Sequence, residues 1–176
     1  MSAAAPVVFA ALSAGIAAFS WRSLGNPRAH GFPRFFAFEC LLALILVNAG
    51  PWFRDLLAPR QMLASLLLTG ALVLAIHGFL VLRTVGRLRV GFADTRVLLV
   101  VGAYRYIRHP LYGSLLLLGW GAFLKQVSVA SVCLVVAATA FIVATAKVEE
   151  AENLSKFGEE YRAFMRKTRM FIPFVL

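Results

Sequence analysis

Charged residues are scarce in this sequence, and acidic residues are the scarcest of them. Asp and Glu together number 8, against 18 Lys and Arg, and charged residues make up only 15% of the 176 positions. Hydrophobic residues account for 61%. A chain this apolar and this sparsely charged is unlike an ordinary soluble domain. The composition therefore indicates a protein that folds in a lipid bilayer.

Cysteine and histidine are too few and too scattered for common structural or metal sites. The two cysteines, Cys40 and Cys133, both lie in apolar segments, which argues against a disulfide framework and against zinc. His30, His77 and His109 are far apart and have no acidic residues at ligand spacing, so we expect no metal. His77 stands alone in an apolar segment, which is more typical of a packed side chain than of a ligand. Walker and dinucleotide glycine motifs are also missing.

Apolar residues fall into windows long enough to cross a membrane. Four windows have this length, and a fifth, shorter one is counted as a span because its helix can begin inside protein. The five windows are residues 3–21, 35–53, 62–82, 111–124 and 127–146. Glu39 lies inside the second window and, being costly in lipid, predicts an interior partner. We predict an all-α, polytopic membrane protein of about five transmembrane helices.

The net charge of +10 sets the orientation of these spans. Most basic residues lie in alternate connections, which does not resemble a soluble patch for nucleic acid, so we expect no nucleic-acid partner. The positive-inside rule then predicts an integral membrane protein, in the inner or cell membrane if the protein is bacterial, with its N-terminus outside and its C-terminus cytoplasmic. The basic residues on the predicted cytoplasmic side are Arg22, Arg28, Arg34, Arg83, Arg87, Arg89, Arg96, Arg105, Arg108, Lys147, Lys156, Arg162, Arg166, Lys167 and Arg169.

The two halves of the chain differ in polar content, although no linker or repeat divides them. We treat residues 1–176 as a single membrane domain. Residues 1–82 are nearly featureless apolar helices, whereas residues 83–176 alternate spans with segments rich in Arg, Tyr, His and Glu. Function is therefore expected in the second half.

Two polar clusters flank the last two spans. Pro110 suits the first turn of a helix, so His109 is expected at the helix entrance, where unpaired N–H groups can face an anion. The short connection at Lys125 and Gln126 predicts an antiparallel hairpin that brings the two clusters together. The clusters are Tyr104, Arg105, Arg108, His109 and Tyr112 before one span, and Glu149 and Glu150 after the other. The alternative for the arginines and tyrosines is anchoring to the lipid interface.

The segment after the last span predicts an amphipathic helical tail interrupted at Gly158. Leu154, Phe157, Tyr161 and Phe164 recur at spacings of three and four, which places them on one apolar face. The opposite face carries charged residues, and binding to anionic lipid is one role open to it.

These segments together resemble the isoprenylcysteine carboxyl methyltransferase family and the phospholipid methyltransferases related to it. The resemblance covers roughly residues 83–176 and depends on two ordered motifs, GAYRYIRHPLYG and the tail EEAENLSKFGEEYRAFMRKTRMFIP. The matching positions are Gly102, Tyr104, Arg108, His109, Pro110 and Tyr112 in the first motif, and Glu149, Glu150, Phe157, Gly158, Glu160, Tyr161, Ile172 and Pro173 in the second.

The resemblance implies a membrane enzyme that uses S-adenosyl-L-methionine, held by the basic loop and the tail. Arg108 and His109 would receive the methionyl carboxylate, and Glu150 would bind the amino group or the ribose diol. The remaining cofactor-binding candidates are aromatic: Tyr104, Tyr112 and Phe157. Residues 1–82 would form the pocket for a lipid-like substrate entering from the bilayer.

The resemblance leaves more than one class of methyl acceptor open. Methylation of a carboxylate on a lipophilic or prenylated substrate is favoured, with Arg166 and Arg169 as the cations beside it. A phospholipid amine or a small thiol would instead need a base, for which Glu160 or His109 is a candidate. The catalytic candidates are therefore Glu160, Arg166 and Arg169. The alternatives of another class are a sterol-reductase-like enzyme that uses NADPH and a non-enzymatic membrane protein.

Overall fold

The chain folds into a bundle of apolar helices followed by a short amphipathic helix. A computed structural model describes residues 4–85 and 99–172, and the regular elements among these residues are helices, with one isolated bridge besides them. The all-α prediction is confirmed. The basic stretch 86–96 and Pro173 lie outside the described residues. The helices are α1 (Ala4–Leu24), α2 (Gly31–Val47), α3 (Pro59–Thr84), a 3-10 turn (Gly102–Arg105), α4 (Pro110–Lys125), α5 (Val129–Phe157) and α6 (Glu159–Lys167).

Three described helices are long and apolar enough to cross a membrane, namely Ala5–Leu24, Pro59–Thr84 and Val129–Phe157. Helices α2 and α4 are equally apolar but have 17 and 16 residues, fewer than the about 20 that cross a bilayer unaided. Both pack between longer helices. This arrangement is compatible with the predicted protein of about five spans.

One helix ends earlier than the sequence predicted, and another ends where it was predicted. The second apolar window extended to residue 53, but α2 ends at Val47. Pro51 lies just beyond this end and cannot continue a helix. The break predicted at Gly158 is confirmed, because α5 runs to Phe157 and Gly158 takes a φ of 56°, a left-handed value that suits glycine.

Helices that follow one another from α1 to α5 run antiparallel, and the most extensive contacts are between α3 and α4 and between α2 and α5. We call the end of the bundle that carries α6 the tail end. There α2 and α4 begin and α1, α3 and α5 finish. The antiparallel α4–α5 hairpin is the one expected from the short connection, and it brings both polar clusters to the tail end.

A buried polar network ties the helices at the opposite end. Asn48, fully buried at the end of α2, donates from Nδ2 to the Ala122 carbonyl at 2.8 Å and accepts from Ser131 Oγ at 2.8 Å. Buried Lys125 donates from Nζ to Ser65 Oγ at 3.1 Å. These bonds join α2, α3, α4 and α5 and hold the bundle together far from the tail end.

Gly121 allows close packing of α4 against α3, and Glu39 joins α2 to α1 by a hydrogen bond. A Cβ added at Gly121 of α4 would lie 2.9 Å from Leu68 Cγ, so a larger residue there would separate α4 from α3. Glu39 of α2 accepts a hydrogen bond at Oε2 from Ser13 Oγ of α1 at 2.9 Å. The interior partner predicted for Glu39 is therefore Ser13.

Candidate active site

A cavity of about 470 Å³ lies at the tail end of the bundle. All six helices contribute to its wall, and its deeper part is apolar, with Phe38, Phe79 and Leu115 among its lining residues. The polar lining side chains are His30, Arg34, Tyr104, Arg108, His109, Tyr112, Ser114, Glu149, Asn153 and Tyr161. The volume falls within the about 300–1,000 Å³ of pockets that hold small organic ligands. The cavity is therefore the candidate active site.

The loop that enters α4 is held by backbone bonds to the segment after α6. Arg108 N–H donates to the Arg169 carbonyl at 2.7 Å, and His109 N–H donates to the Met170 carbonyl at 3.1 Å. In return, Arg169 N–H donates to the Tyr106 carbonyl at 3.1 Å. The two motifs found in the sequence are thus fixed to each other over this stretch, and Pro110 opens α4 as predicted.

Arg108 uses its guanidinium mainly to hold α5 and the tail in place. Its Nε donates to Glu150 Oε1 at 2.5 Å, and one terminal nitrogen donates to the Thr168 carbonyl at 2.6 Å. The two paired side chains are only 10% and 11% exposed. Glu150 is absent from the cavity lining among the described residues, because its carboxylate turns toward Arg108.

His109 lies at the entrance of α4 and is almost fully buried. Its Nε2 is 3.4 Å from Glu150 Oε1, but no aligned hydrogen-bond partner satisfies this buried atom within the described part of the chain. The ring packs against Tyr112 and Phe171, with centroid separations of 5.5 Å and 6.1 Å. The His109 ring lines the cavity wall, so a ligand in the cavity would lie against it.

Glu149 and Tyr112 form the polar centre of the cavity. The Tyr112 hydroxyl donates to Glu149 Oε2 at 2.6 Å, across the α4–α5 hairpin. Both residues line the cavity and both are partly buried. Because one oxygen of Glu149 is held by Tyr112, the carboxylate has a fixed orientation and an acceptor atom left for a cationic ligand group.

The 3-10 turn places Tyr104 in the wall through a close contact with α3. Gly102 has a φ of 59°, and a Cβ at this position would lie 2.5 Å from His77 Nε2. His77 is exposed, not packed, and its Nε2 accepts the backbone N–H of Ala103 at 3.1 Å, which ties the turn to α3. Burial, with the nearby Glu149 charge as a smaller cause, raises the pKa of Tyr104 well above its usual range.

The tail closes the cavity with Phe157, Tyr161 and Phe164. Tyr161 and Phe164 are buried, which confirms the predicted apolar face of the tail. Burial, reinforced by the negative charge of Glu150, raises the pKa of Tyr161 to about 12.

This raised pKa predicts a loss of stability at alkaline pH. The unfolded chain loses the Tyr161 proton near pH ~10, whereas the folded chain keeps it to about pH 12. The free energy of unfolding should therefore fall as the pH rises through this interval. In Tyr161→Phe the fall should be shallower. Thermal unfolding midpoints measured across the interval test this, and parallel curves for wild type and variant would contradict it.

The predicted site residues fall into three groups. Tyr104, Arg108, His109, Tyr112 and Phe157 line the cavity, and Glu150 lies behind its wall in the pair with Arg108. The three residues predicted to be catalytic, Glu160, Arg166 and Arg169, are exposed and absent from the cavity lining among the described residues. Arg166 and Arg169 instead line a separate surface depression of about 190 Å³. Their catalytic assignment stays a prediction, and the geometry does not support it.

Sequence reasoning did not select three polar residues of the cavity lining as site residues, namely Glu149, Arg34 and His30. Glu149 was recognised only as one of an acidic pair, and Arg34 only as a topology-setting charge. His30, from the connection before α2, also lines the cavity and is held by Glu152, with 2.5 Å between Nδ1 and Oε2. The signal available for Arg34 was an arginine at the very edge of an apolar window, on the same side of the membrane as the motifs.

Comparisons with known proteins agree with the motifs. A methanethiol S-methyltransferase from Crocosphaera subtropica is 32% identical over 72 residues, which are 41% of this chain and 28% of that relative. The matched region thus covers well under two thirds of the relative, and no solved structure matches the chain. The sequence profile described as phospholipid methyltransferase matches residues 59–160, from the start of α3 into α6. Because this match covers more than half of the chain, the protein belongs to the phospholipid methyltransferase family.

Proposed function

We propose that this membrane methyltransferase uses S-adenosyl-L-methionine and that donor and acceptor meet in the cavity at the tail end. One observation carries the proposal: the two motif segments, nearly forty residues apart in sequence, close a single cavity with Glu149, Tyr112 and His109 in its wall. The family match favours a methyltransferase over the reductase and over a non-enzymatic membrane protein.

The residues present fit this donor. Glu149 offers a fixed carboxylate to the donor's amino group, taking the role that the sequence suggested for Glu150. Tyr104 and Phe157 offer aromatic surface to its adenine, and the His109 ring lines the same wall. When bound, S-adenosylmethionine supplies a methyl group on a positively charged sulfur, which is already an activated leaving group.

The chain therefore contributes mainly orientation and exclusion of water. Tyr112 holds Glu149, and Glu149 in turn fixes the amino-acid end of the donor. The apolar wall around Phe38, Phe79 and Leu115 keeps water away from the reacting atoms and receives a lipophilic acceptor. With the tail end facing the cytoplasm, as the positive charges predict, the cavity would open toward the cytoplasmic pool of the donor.

The cavity lining bears on the choice of acceptor. A carboxylate acceptor, which the resemblance favoured, depended on Arg166 and Arg169, and both lie away from the cavity. An amine or a thiol needs a base, and of the two candidates from the sequence, Glu160 and His109, His109 is the one that lines the cavity. The relative named for methanethiol methylation favours the thiol as a specific second candidate.

Transfer of a labelled methyl group tests the proposal. Purified protein in nanodiscs is incubated with methyl-labelled S-adenosylmethionine and, separately, a small alkyl thiol, phosphatidylethanolamine or a prenylated cysteine carboxylate. We expect label in the thiol or amine product, strongly reduced in Glu149→Gln. Label in the prenylated carboxylate alone would overturn the acceptor class. Absence of transfer to all three and to total membrane lipid, with NADPH binding instead, would overturn the proposed function.

A further inference from the structure

Arg34 is a cavity residue that lies outside the region shared with the family profile. It lies in the first turn of α2, and its guanidinium carbon is 6.0 Å from the centre of the Phe19 ring of α1. Its Nε is buried and has no hydrogen-bond partner in the part of the chain that the structure describes. A buried guanidinium N–H without a hydrogen-bond partner costs free energy, and a ligand in the cavity that accepts this hydrogen bond would remove the cost.

Arg108, the other arginine in the cavity wall, differs from Arg34 in its hydrogen-bond partners. Arg108 donates from Nε to Glu150 and from Nη1 to the carbonyls of Thr168 and Met165. Arg34 forms no ion pair with a carboxylate of the described residues, although Glu149 lines the same cavity. Of the two guanidinium groups in the cavity wall, Arg34 is therefore the one whose charge is not already paired with a carboxylate of the described residues.

Arg34 and Glu149 lie on either side of one hydroxyl. Tyr112 donates to Glu149 at 2.6 Å, and the Arg34 guanidinium contacts the same Tyr112 oxygen through its charge and a side-chain hydrogen bond, which leaves its Nε unpartnered. A carboxylate and a guanidinium in one wall, separated by a hydroxyl, are complementary to a group that carries an ammonium and a carboxylate on one carbon. An α-amino acid end has this charge pattern, and guanidinium is well suited to bind its carboxylate with two hydrogen bonds.

We propose that Arg34 binds the α-carboxylate of the methyl donor while Glu149 binds its α-ammonium. This inference rests on the proposed function, and it moves the carboxylate contact from Arg108 to a residue of the N-terminal helices. The first two helices would then take part in donor binding in addition to forming a pocket for the acceptor. Specificity for an amino-acid-bearing donor would require both halves of the chain.

Two donors that differ only in the carboxylate provide the test. Dissociation constants of S-adenosylmethionine and of its decarboxylated analogue are measured for wild type, Arg34→Gln, Arg34→Lys and Arg28→Gln. Arg28 is exposed in the connection just before α2, so Arg28→Gln makes the same charge change outside the cavity. Thermal unfolding of each variant shows that it is folded.

For Arg34→Gln we expect roughly 10- to 100-fold weaker binding of S-adenosylmethionine, the range for a lost hydrogen bond between charged groups. Binding of the decarboxylated analogue should change less than about twofold, because it has no group for Arg34 to hold. Arg34→Lys should restore part of the loss, and Arg28→Gln should change neither constant.

Three results would contradict the inference. Equal losses for both donors would show that Arg34 shapes the cavity without binding the carboxylate. Unchanged binding of S-adenosylmethionine by folded Arg34→Gln would remove Arg34 from the site and leave the proposed function intact. Failure of the wild type to bind either donor would instead overturn the proposed function together with the inference.

Discussion

Replacing Arg108 with methionine is expected to lower the free energy of unfolding by about 3–5 kcal/mol, the cost of leaving one partner of a buried ion pair alone. Glu150 would remain buried with its carboxylate unpaired, because both side chains are only about a tenth exposed. The variant would also lose the bond from Arg108 to the Thr168 carbonyl, which holds the tail. Chemical unfolding in detergent, followed by tryptophan fluorescence, measures the change.

Two further variants separate this cause from a general effect of losing an arginine. In Arg108→Met/Glu150→Gln no buried charge remains, so a large part of the loss should be recovered. Arg162 forms an exposed pair with Glu159, and Arg162→Met should cost less than about 1 kcal/mol. A loss in Arg108→Met no larger than in Arg162→Met would contradict the structural role given to Arg108.

Replacing Glu149 with glutamine is expected to weaken binding of S-adenosylmethionine by roughly 10- to 100-fold, since a hydrogen bond between charged groups is lost. Glutamine keeps the shape of the side chain and can still accept from the Tyr112 hydroxyl through its carbonyl oxygen. The fold should therefore be preserved, with a thermal midpoint near that of wild type. Isothermal titration with S-adenosylmethionine measures the affinity.

Glu159→Gln is the matched control for this prediction. Glu159 is exposed at the start of α6 and absent from the cavity lining, so the same loss of charge should leave affinity unchanged. Equal affinities of wild type and Glu149→Gln would show that the ammonium of the donor is bound elsewhere.

The sequence was informative wherever the determinant was local. Pro110 marked the first turn of α4, Gly158 marked the break before α6, and the spacing of Tyr161 and Phe164 marked the buried face of the tail. Each of these follows from backbone restrictions or from helical periodicity within a few residues. The hairpin of α4 and α5 followed from the shortness of its connection.

The choice between Glu149 and Glu150 could not be made in this way. Adjacent residues of a helix point about 100° apart, so one of the pair faces the cavity and the other faces away. Which one does so depends on where the tail packs, and the tail is positioned by Arg108 and by the backbone bonds from Arg169 and Met170. Those contacts join segments about sixty residues apart.

The contribution of Arg34 was hidden for a similar reason. Arg34 is a basic residue at the edge of an apolar window, and the positive-inside rule also places basic residues there. From the sequence, Arg34 was therefore counted only as a charge that sets the orientation of the spans. Only the packing of α2 against α5 brings Arg34 to the same cavity as Glu149. The outward direction of Glu160, Arg166 and Arg169 likewise depends on which face of α6 is buried and how α6 sits on the bundle.

The most direct test of the proposed donor site is saturation binding of labelled S-adenosylmethionine to the purified protein in nanodiscs. Ala75 of α3 lines the cavity, and Ala75→Trp would fill much of it. We predict saturable binding of one donor molecule per chain in wild type, unaffected by excess NADPH, and loss of that binding in folded Ala75→Trp. Absence of saturable binding in wild type, or undiminished binding in the filled variant, would contradict a donor site in this cavity.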